Sequence, residues 1–380
     1  MYKQKVFYWS PSLVNIATNK AVINSAYSLN KYSEKYSGSI INFFGEFERF
    51  RNEINKKEIE TINYYSKSIF KIFPSQGKIK SRFSFIVIFF MSFYPLKKLL
   101  KKEMPDYLII HLITSLPLIL LIFFNFKTKF ILRISGFPKM NFFRKLLWKL
   151  AFKKIYRVTC PTKSTFNYIK SLNIISKNKI EILYDPVLEV NEINKKKREK
   201  KLINGDYFLA VGRLTKQKNF LFLCNAIKNK IQNNDNFKLL IAGEGEEKKE
   251  LNKFIKLNNL HKKIILLNHV DNIFPYFVNA KAFILTSLWE DPGFVLIEAA
   301  YCRTLVFSCD SEPGPKELIE DDFNGIVFIN NDIQNFENKF DLIFDKKNYK
   351  RLVYNNLKSI KKFTVFNHFK DLNKIMSFEN

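Results

Sequence analysis

An α/β protein built on two doubly wound parallel sheets is what three features of this sequence predict. Short apolar runs alternate with amphipathic stretches along nearly the whole chain, the pattern of buried strands covered by helices on both faces. The alternation is broken once, by the polar, charged segment Val190 to Asp206 (VNEINKKKREKKLINGD). After it the strand–helix rhythm restarts, and 380 residues suit two domains. Ligands of such sheets bind outside the carboxyl ends of the strands, so two facing domains would place them in a central cleft.

In the first half the expected strands are Val6–Trp9, Ser39–Phe44, Tyr107–Leu112, Phe130–Ile134, Arg157–Cys160 and Ile180–Leu183. Helices are expected near Ala21–Lys35 and Asn141–Lys153. Two apolar stretches need separate treatment. Phe83 to Phe93 is too short to span a bilayer as a helix. Tyr107 to Phe126 is long enough, but it carries His111, Thr114, Ser115, Pro117 and Asn125. It parses as a strand, a polar break and a helix opened by Ser115 and Pro117, in preference to a transmembrane helix.

The second half repeats the rhythm with expected strands at Tyr207–Val211, Phe237–Ala242, Ile264–Leu267, Ala282–Thr286, Leu305–Ser308 and Ile326–Phe328. Helices are expected near Asn219–Asn229, Glu246–Asn258, Ile273–Val278 and Val295–Ala300. The domains are therefore set at residues 1–189 and 207–348, with 190–206 as linker.

Sixty-three Lys and Arg against 35 Asp and Glu give a net charge of +28 and a pI of about 9.7. Such a field favours polyanions: nucleic acid, phosphorylated small molecules or an anionic membrane surface. The lysines are spread along the chain, so compositional bias is the alternative source of the excess. Cys160, Cys224, Cys302 and Cys309 are too few and too irregular for a disulfide framework or zinc site, which suits a reducing, cytoplasmic compartment. The opening MYKQKVFYWSPSLVN lacks the apolar core of a signal peptide. Neither a nucleic-acid-binding motif nor a segregated basic helix is present, so nucleic acid is not the expected partner.

Candidate chemistry concentrates after strands of the second half. In SLWEDPGFVLIEAA, Glu290 and Glu298 are separated by seven residues. Gly293 lets backbone approach a ligand, and the amides of Gly293, Phe294 and Val295 open a helix suited to an anion or hydroxyl. Glu298, one turn in, can accept two hydrogen bonds from a vicinal diol; simple dipole compensation is the other use of such glutamates. In FLAVGRLTKQKN, Gly212, Arg213 and Lys218 follow the first strand, a cationic clamp for phosphates or a solvated basic loop. IAGEGEE adds Gly243 and Gly245, and EPGPKELIEDDFNGIVF adds Gly314, Glu317 and Gly325.

In this order and at these intervals, the motifs of Tyr207–Phe328 resemble the donor half of glycosyltransferase family 4 (group 1), the retaining GT-B enzymes. The resemblance implies two Rossmann-like domains, the first binding acceptor and the second a nucleotide-sugar donor, with a C-terminal helix, about 349–376, packing back on the first. It implies that Arg213 and Lys218 neutralise the donor diphosphate and that Glu290 and Glu298 contact the transferred sugar and the ribose. Gly212, Gly243, Gly293, Phe294, Val295 and Glu317 would line the donor site, with no metal or other cofactor.

The first half is more loosely similar, with RISGFPKMNFFRKLLWK and VTCPTKSTFNYI resembling segments of surface-polysaccharide enzymes such as those of lipopolysaccharide synthesis. It departs twice from the family pattern. SPSLVNIATNKAVINS, with Asn19 and Lys20 as candidate phosphate contacts, replaces a glycine-rich loop, and Arg133-Ile134-Ser135-Gly136 stands where many members carry a histidine. His111 is then either the sugar contact or a buried structural histidine, while His261, His269 and His368 show no ligand spacing.

The expected function is a retaining hexosyltransferase acting on a saccharide or lipid-linked acceptor, peripheral on the inner face of the cytoplasmic membrane. Phe142, Phe143, Arg144, Lys145, Trp148 and Lys149 form either a basic amphipathic surface or, through Phe143, Leu146, Leu147 and Leu150, a helix's core face. The alternatives are a GT-B-fold nucleotide-sugar epimerase and a basic nucleic-acid-binding protein.

Overall fold

Residues 3–12, 17–65, 78–199, 206–232 and 237–377 are described by this computed structural model, with side chains in the third helix from Ser84 onward. The chain divides into two compact units: Met1–Pro186 with Val365–Asn380, and Val187–Thr364.

The first unit runs β1 (Gln4–Trp9), α1 (Ala17–Tyr32), β2 (Tyr36–Ile41), α2 (Arg51–Lys56), β3 (Glu60–Ile62), α3 (Lys78–Glu103) and β4 (Tyr107–Ile110). It continues through α4 (Ser115–Phe123), β5 (Lys129–Arg133), α5 (Phe142–Lys154), β6 (Arg157–Cys160), α6 (Lys163–Ser171) and β7 (Ile180–Ile182). All strand pairings are parallel, in the order β3-β2-β1-β4-β5-β6-β7. Every residue of β4 and β6 is buried, as sheets covered on both faces require. The apolar stretch Tyr107 to Phe126 is thus a strand and a helix, and no helix among the described residues is long and apolar enough to cross a membrane.

The second unit runs α7 (Val190–Lys196), β8 (Asp206–Val211), α8 (Phe220–Gln232), β9 (Phe237–Ala242), α9 (Lys248–Leu257), β10 (Ile264–Asn268), α10 (Phe274–Asn279) and β11 (Ala282–Leu285). It ends with α11 (Phe294–Tyr301), β12 (Val306–Cys309), α12 (Gly314–Leu318), β13 (Ile326–Phe328), α13 (Ile333–Phe340) and α14 (Lys346–Ser359). The six strands are parallel, in the order β10-β9-β8-β11-β12-β13. Aromatic rings fill one side of this sheet, with Phe307 within 5.0 Å of both Phe328 and Phe336.

The final helix, α15 (Val365–Ser377), returns to the first unit and packs on α1. His368 fixes it there: one ring nitrogen lies 2.8 Å from the Ser25 hydroxyl and the other 2.7 Å from the Tyr184 carbonyl. Tyr107 donates to the Met376 carbonyl at 2.6 Å.

Two expectations change. The helix expected to return, about 349–376, is two helices, and α14 stays with the second unit because Leu352 and Val353 join its core. The segment 190–206 is not all linker: Glu189 caps α7 and buries Ile193, while Asn272 donates to the Lys196 carbonyl at 2.9 Å. Lys200–Gly205 lies outside the described residues. Phe83–Phe93 belongs to the 26-residue α3, whose apolar run is extended at both ends by charged residues.

Candidate functional site

In the second unit the strand order reverses direction between β8 and β11, and the crevice outside their carboxyl ends is where an open α/β sheet accepts a ligand. The loops leaving these two strands are joined there. Leu288 N–H donates to the Gln217 carbonyl at 2.8 Å, the Gln217 amide to the Trp289 carbonyl at 2.8 Å, and the Thr286 hydroxyl to the Lys218 carbonyl at 2.9 Å. Lys218 and Glu290, 72 residues apart, form an ion pair with side chains only 13% and 11% exposed. The same Glu290 oxygen accepts from the Ser287 hydroxyl at 2.8 Å.

This pairing revises the clamp expected of Arg213 and Lys218. Lys218 already has a carboxylate, so its charge is partly spent and its ammonium is positioned by Glu290. Arg213 is exposed and has no ion-pair partner among the described residues, leaving it the less compensated cation of the two.

The remaining candidates gather around the same edge. Gly243, after β9, is pressed against the β8 loop: a Cβ there would stand 1.8 Å from the Gly212 carbonyl oxygen. Gly293 caps α11 at φ 95°, a conformation that favours glycine, and so starts the helix at Phe294. The amides of Phe294 and Val295 fall in the first turn, where the helix supplies them no partner. Glu298 is buried one turn further on. Glu317 lies on α12, whose Gly314 donates to the Glu290 carbonyl at 2.9 Å. The edge thus combines one free guanidinium, an oriented Lys–Glu pair and a helix N-terminus, a set able to hold an anionic, polyhydroxylated ligand. Trp289, 53% exposed beside Glu290, was not singled out from the sequence; its place between Ser287 and Glu290 was the available signal. Among the described residues no group of three or more His, Cys, Asp or Glu converges as a metal site.

The first unit has its own reversal, between β1 and β4. Ser10 follows β1 and His111 follows β4, both buried, and among the described residues the Ser10 hydroxyl, both His111 ring nitrogens and the buried Asn19 Oδ1 have no hydrogen-bond partner. Burial, with Arg133 nearby, pulls the His111 pKa well below its usual value, so the ring is neutral. Asn19 and Lys20 stand inside α1 and not in a loop, because the helix begins at Ala17; Leu13–Ile16 lies outside the described residues. Arg133 is taken by Asp185, its Nε donating at 2.8 Å, and Ser135 is exposed. Of the other histidines, His261 is exposed and His269 lies 3.3 Å from Asp271.

Two doubly wound parallel sheets, each reversing its strand order once, make up the GT-B fold. Residues 192–359 match the family model described as glycosyl transferases group 1, and the chain carries that family's domain. An uncharacterized glycosyltransferase of Methanocaldococcus jannaschii is 28% identical over 317 residues, covering 78% of this chain and 74% of its own. A Campylobacter jejuni enzyme, GalNAc-alpha-(1->4)-GalNAc-alpha-(1->3)-diNAcBac-PP-undecaprenol alpha-1,4-N-acetyl-D-galactosaminyltransferase, is 26% identical over 374 residues, covering 97% of this chain and 96% of its own. The fold is shared with Staphylococcus aureus TarM, solved with UDP and alpha-GlcNAc-glycerol, at a TM-score of 0.75 and 14% identity over 99% of this chain and all of that one.

Proposed function

We propose that the chain transfers a sugar from a nucleoside-diphosphate sugar to a lipid-linked saccharide, with retention at the anomeric carbon, at a membrane surface during surface-glycan synthesis. The observation that carries the donor half of this reading is the Lys218–Glu290 pair across the β8–β11 reversal, beside Arg213 and the start of α11. The acceptor half is drawn from the Campylobacter jejuni relative, whose name specifies a diphospho-undecaprenol acceptor.

In this reading the bond from the anomeric carbon to the diphosphate breaks, the acceptor hydroxyl oxygen takes its place on that carbon, and the hydroxyl proton passes to the departing diphosphate oxygen. Charge gathers on the departing diphosphate, where Arg213, the Lys218 ammonium and the first amides of α11 stabilise it without reorganising. Glu290 holds Lys218 in place and faces the transferred sugar, and Glu298 accepts from the ribose diol. In the first unit Ser10 and His111 offer their unpartnered polar atoms to saccharide hydroxyls. No divalent cation is required.

The test is a thermal-shift panel of nucleoside diphosphates and nucleotide sugars, followed by proton NMR of the product's anomeric linkage with and without EDTA. A matching donor raises the melting temperature, and the linkage keeps the donor's configuration in EDTA. Inversion would overturn the retaining reading, and loss of turnover in EDTA the metal-free one.

A further inference from the structure

The outer faces of α3 and α5 are unlike an ordinary solvated surface. On α3, Ile86, Phe90, Tyr94 and Lys98 follow one another at four-residue intervals and are all exposed, Phe90 to 71%. Lys101 and Lys102 continue the same side. The lysine end forms a shallow cavity of about 330 Å³ lined by Tyr94, Lys97, Lys98, Lys101 and Lys102. On α5, Phe142 and Phe143 are 75% and 78% exposed, and Leu146 and Leu150 are exposed behind them. The core face of α5 is instead Trp148, Ala151 and Phe152, which removes Trp148 from the expected surface set. α4 packs against both helices, and all three cover the same side of the sheet.

Both helices end in exposed lysines, Lys101 and Lys102 on α3, Lys153 and Lys154 on α5, and basic residues also open α3 (Lys78, Lys80 and Arg82 in the sequence) and follow the exposed rings of α5 (Arg144 and Lys145). Between Lys78 and Lys154 the sequence has 16 Lys or Arg and only two acidic residues, Glu103 and Asp106.

We infer that the α3–α5 face docks on an anionic lipid bilayer, with Phe90, Phe142 and Phe143 entering the acyl boundary and the lysines meeting headgroup phosphates. Tyr94 stands between the two zones, where an amphipathic ring belongs at an interface. The charge excess selects this occupant over a second copy of the chain, because two such faces repel. The inference deepens the lipid-linked acceptor reading, yet its test needs neither donor nor acceptor, so either can fail without the other.

The experiment is vesicle flotation of the full chain with phosphatidylcholine alone and with phosphatidylcholine–phosphatidylglycerol, across salt concentrations. The chain partitions onto the anionic vesicles. Phe90→Ser/Phe142→Ser/Phe143→Ser, which leaves the charge unchanged, weakens partitioning at least about tenfold. Lys98→Gln/Lys101→Gln/Lys102→Gln weakens it about 10²-fold at low salt, roughly fivefold per lysine. Lys346→Gln/Lys347→Gln/Lys350→Gln, the same charge loss on exposed positions of α14, changes it less than about fivefold. All these side chains are exposed, so melting temperatures confirm folding. An unchanged serine variant, or an α14 variant as weak as the α3 variant, overturns the inference. So does displacement by millimolar inorganic phosphate at constant ionic strength, which assigns the cavity to free phosphate. Light scattering that shows a dimer, and a monomer for the serine variant, gives the face to a second copy instead.

Discussion

Lys218→Met removes the cation from the pair joining the two donor-side loops and leaves the Glu290 carboxylate, 11% exposed, with the Ser287 hydroxyl as its remaining hydrogen-bond donor among the described residues. Removing one partner of a buried pair costs about 3–5 kcal/mol, and the lower end applies because neither side chain is fully buried. For a unit of this size about 3 kcal/mol lowers the melting temperature by roughly 6–12 °C. Adding Glu290→Gln removes the stranded charge while keeping an acceptor for Ser287, so the double variant returns to within about 1 kcal/mol of the original stability. Turnover behaves differently. Both variants lose the positioned ammonium, and both fall by about 10²–10³-fold, about 2.7–4 kcal/mol of transition-state stabilisation. The assay pairs a melting curve with steady-state transfer for the parent, the single and the double variant. Recovery of turnover together with stability in the double variant would refute a chemical role for Lys218, and an unshifted melting temperature in the single variant would refute the pair.

Further outcomes follow from other sites. Glu298→Gln raises the donor KM more than it lowers kcat, because a ribose contact exists before and during reaction; steady-state kinetics over donor concentration reads the split. Burial pushes the Glu46 carboxyl up to about 7 from 4.5, so its share of stability is full below pH 4.5 and lost as pH rises through 7. Glu46→Gln keeps an acceptor for Phe44 N–H and gains about 2–3 kcal/mol at pH 8 and nothing at pH 4, measured by urea titration. Burial pulls His368 down to about 4 from 6.5, so its share is full above 6.5 and lost as pH falls towards 4. His368→Gln flattens that acid limb by about 3 kcal/mol, read by urea titration at pH 4 and pH 7.

Most of the fold was legible because buried parallel strands are short, mainly apolar runs between polar stretches: Phe237–Ala242 and Ile326–Phe328 have the bounds read from sequence, and so has Arg157–Cys160 despite its Arg and Thr. β3 was missed, since Glu60–Ile62 is a three-residue edge strand with no burial pattern to read. α7 was missed because its single core anchor, Ile193, sits among lysines and asparagines whose charge dominates the composition. At the site, glycine spacing and the Arg213, Lys218 and Glu290 motifs were visible, but the contact between Lys218 and Glu290 was not. Nothing local links residues 72 apart; sheet order brings them together. The outward face of α5 was equally hidden, since Phe143, Leu146 and Leu150 have the spacing of a core stripe and only the packing of Trp148 and Phe152 shows which side is buried.

The central claim, that a donor diphosphate lies at the β8–β11 reversal of the second unit, is tested most directly by calorimetry. Nucleoside and nucleoside diphosphate are titrated into the parent chain and into Arg213→Ala, whose exposed side chain can be removed without cost to the core. The diphosphate binds the parent more tightly than the nucleoside does, and Arg213→Ala weakens the diphosphate by about 10–100-fold, the loss of one charge-assisted contact, while leaving the nucleoside unchanged. Equal diphosphate affinity in the two proteins would place the phosphates elsewhere and contradict the account.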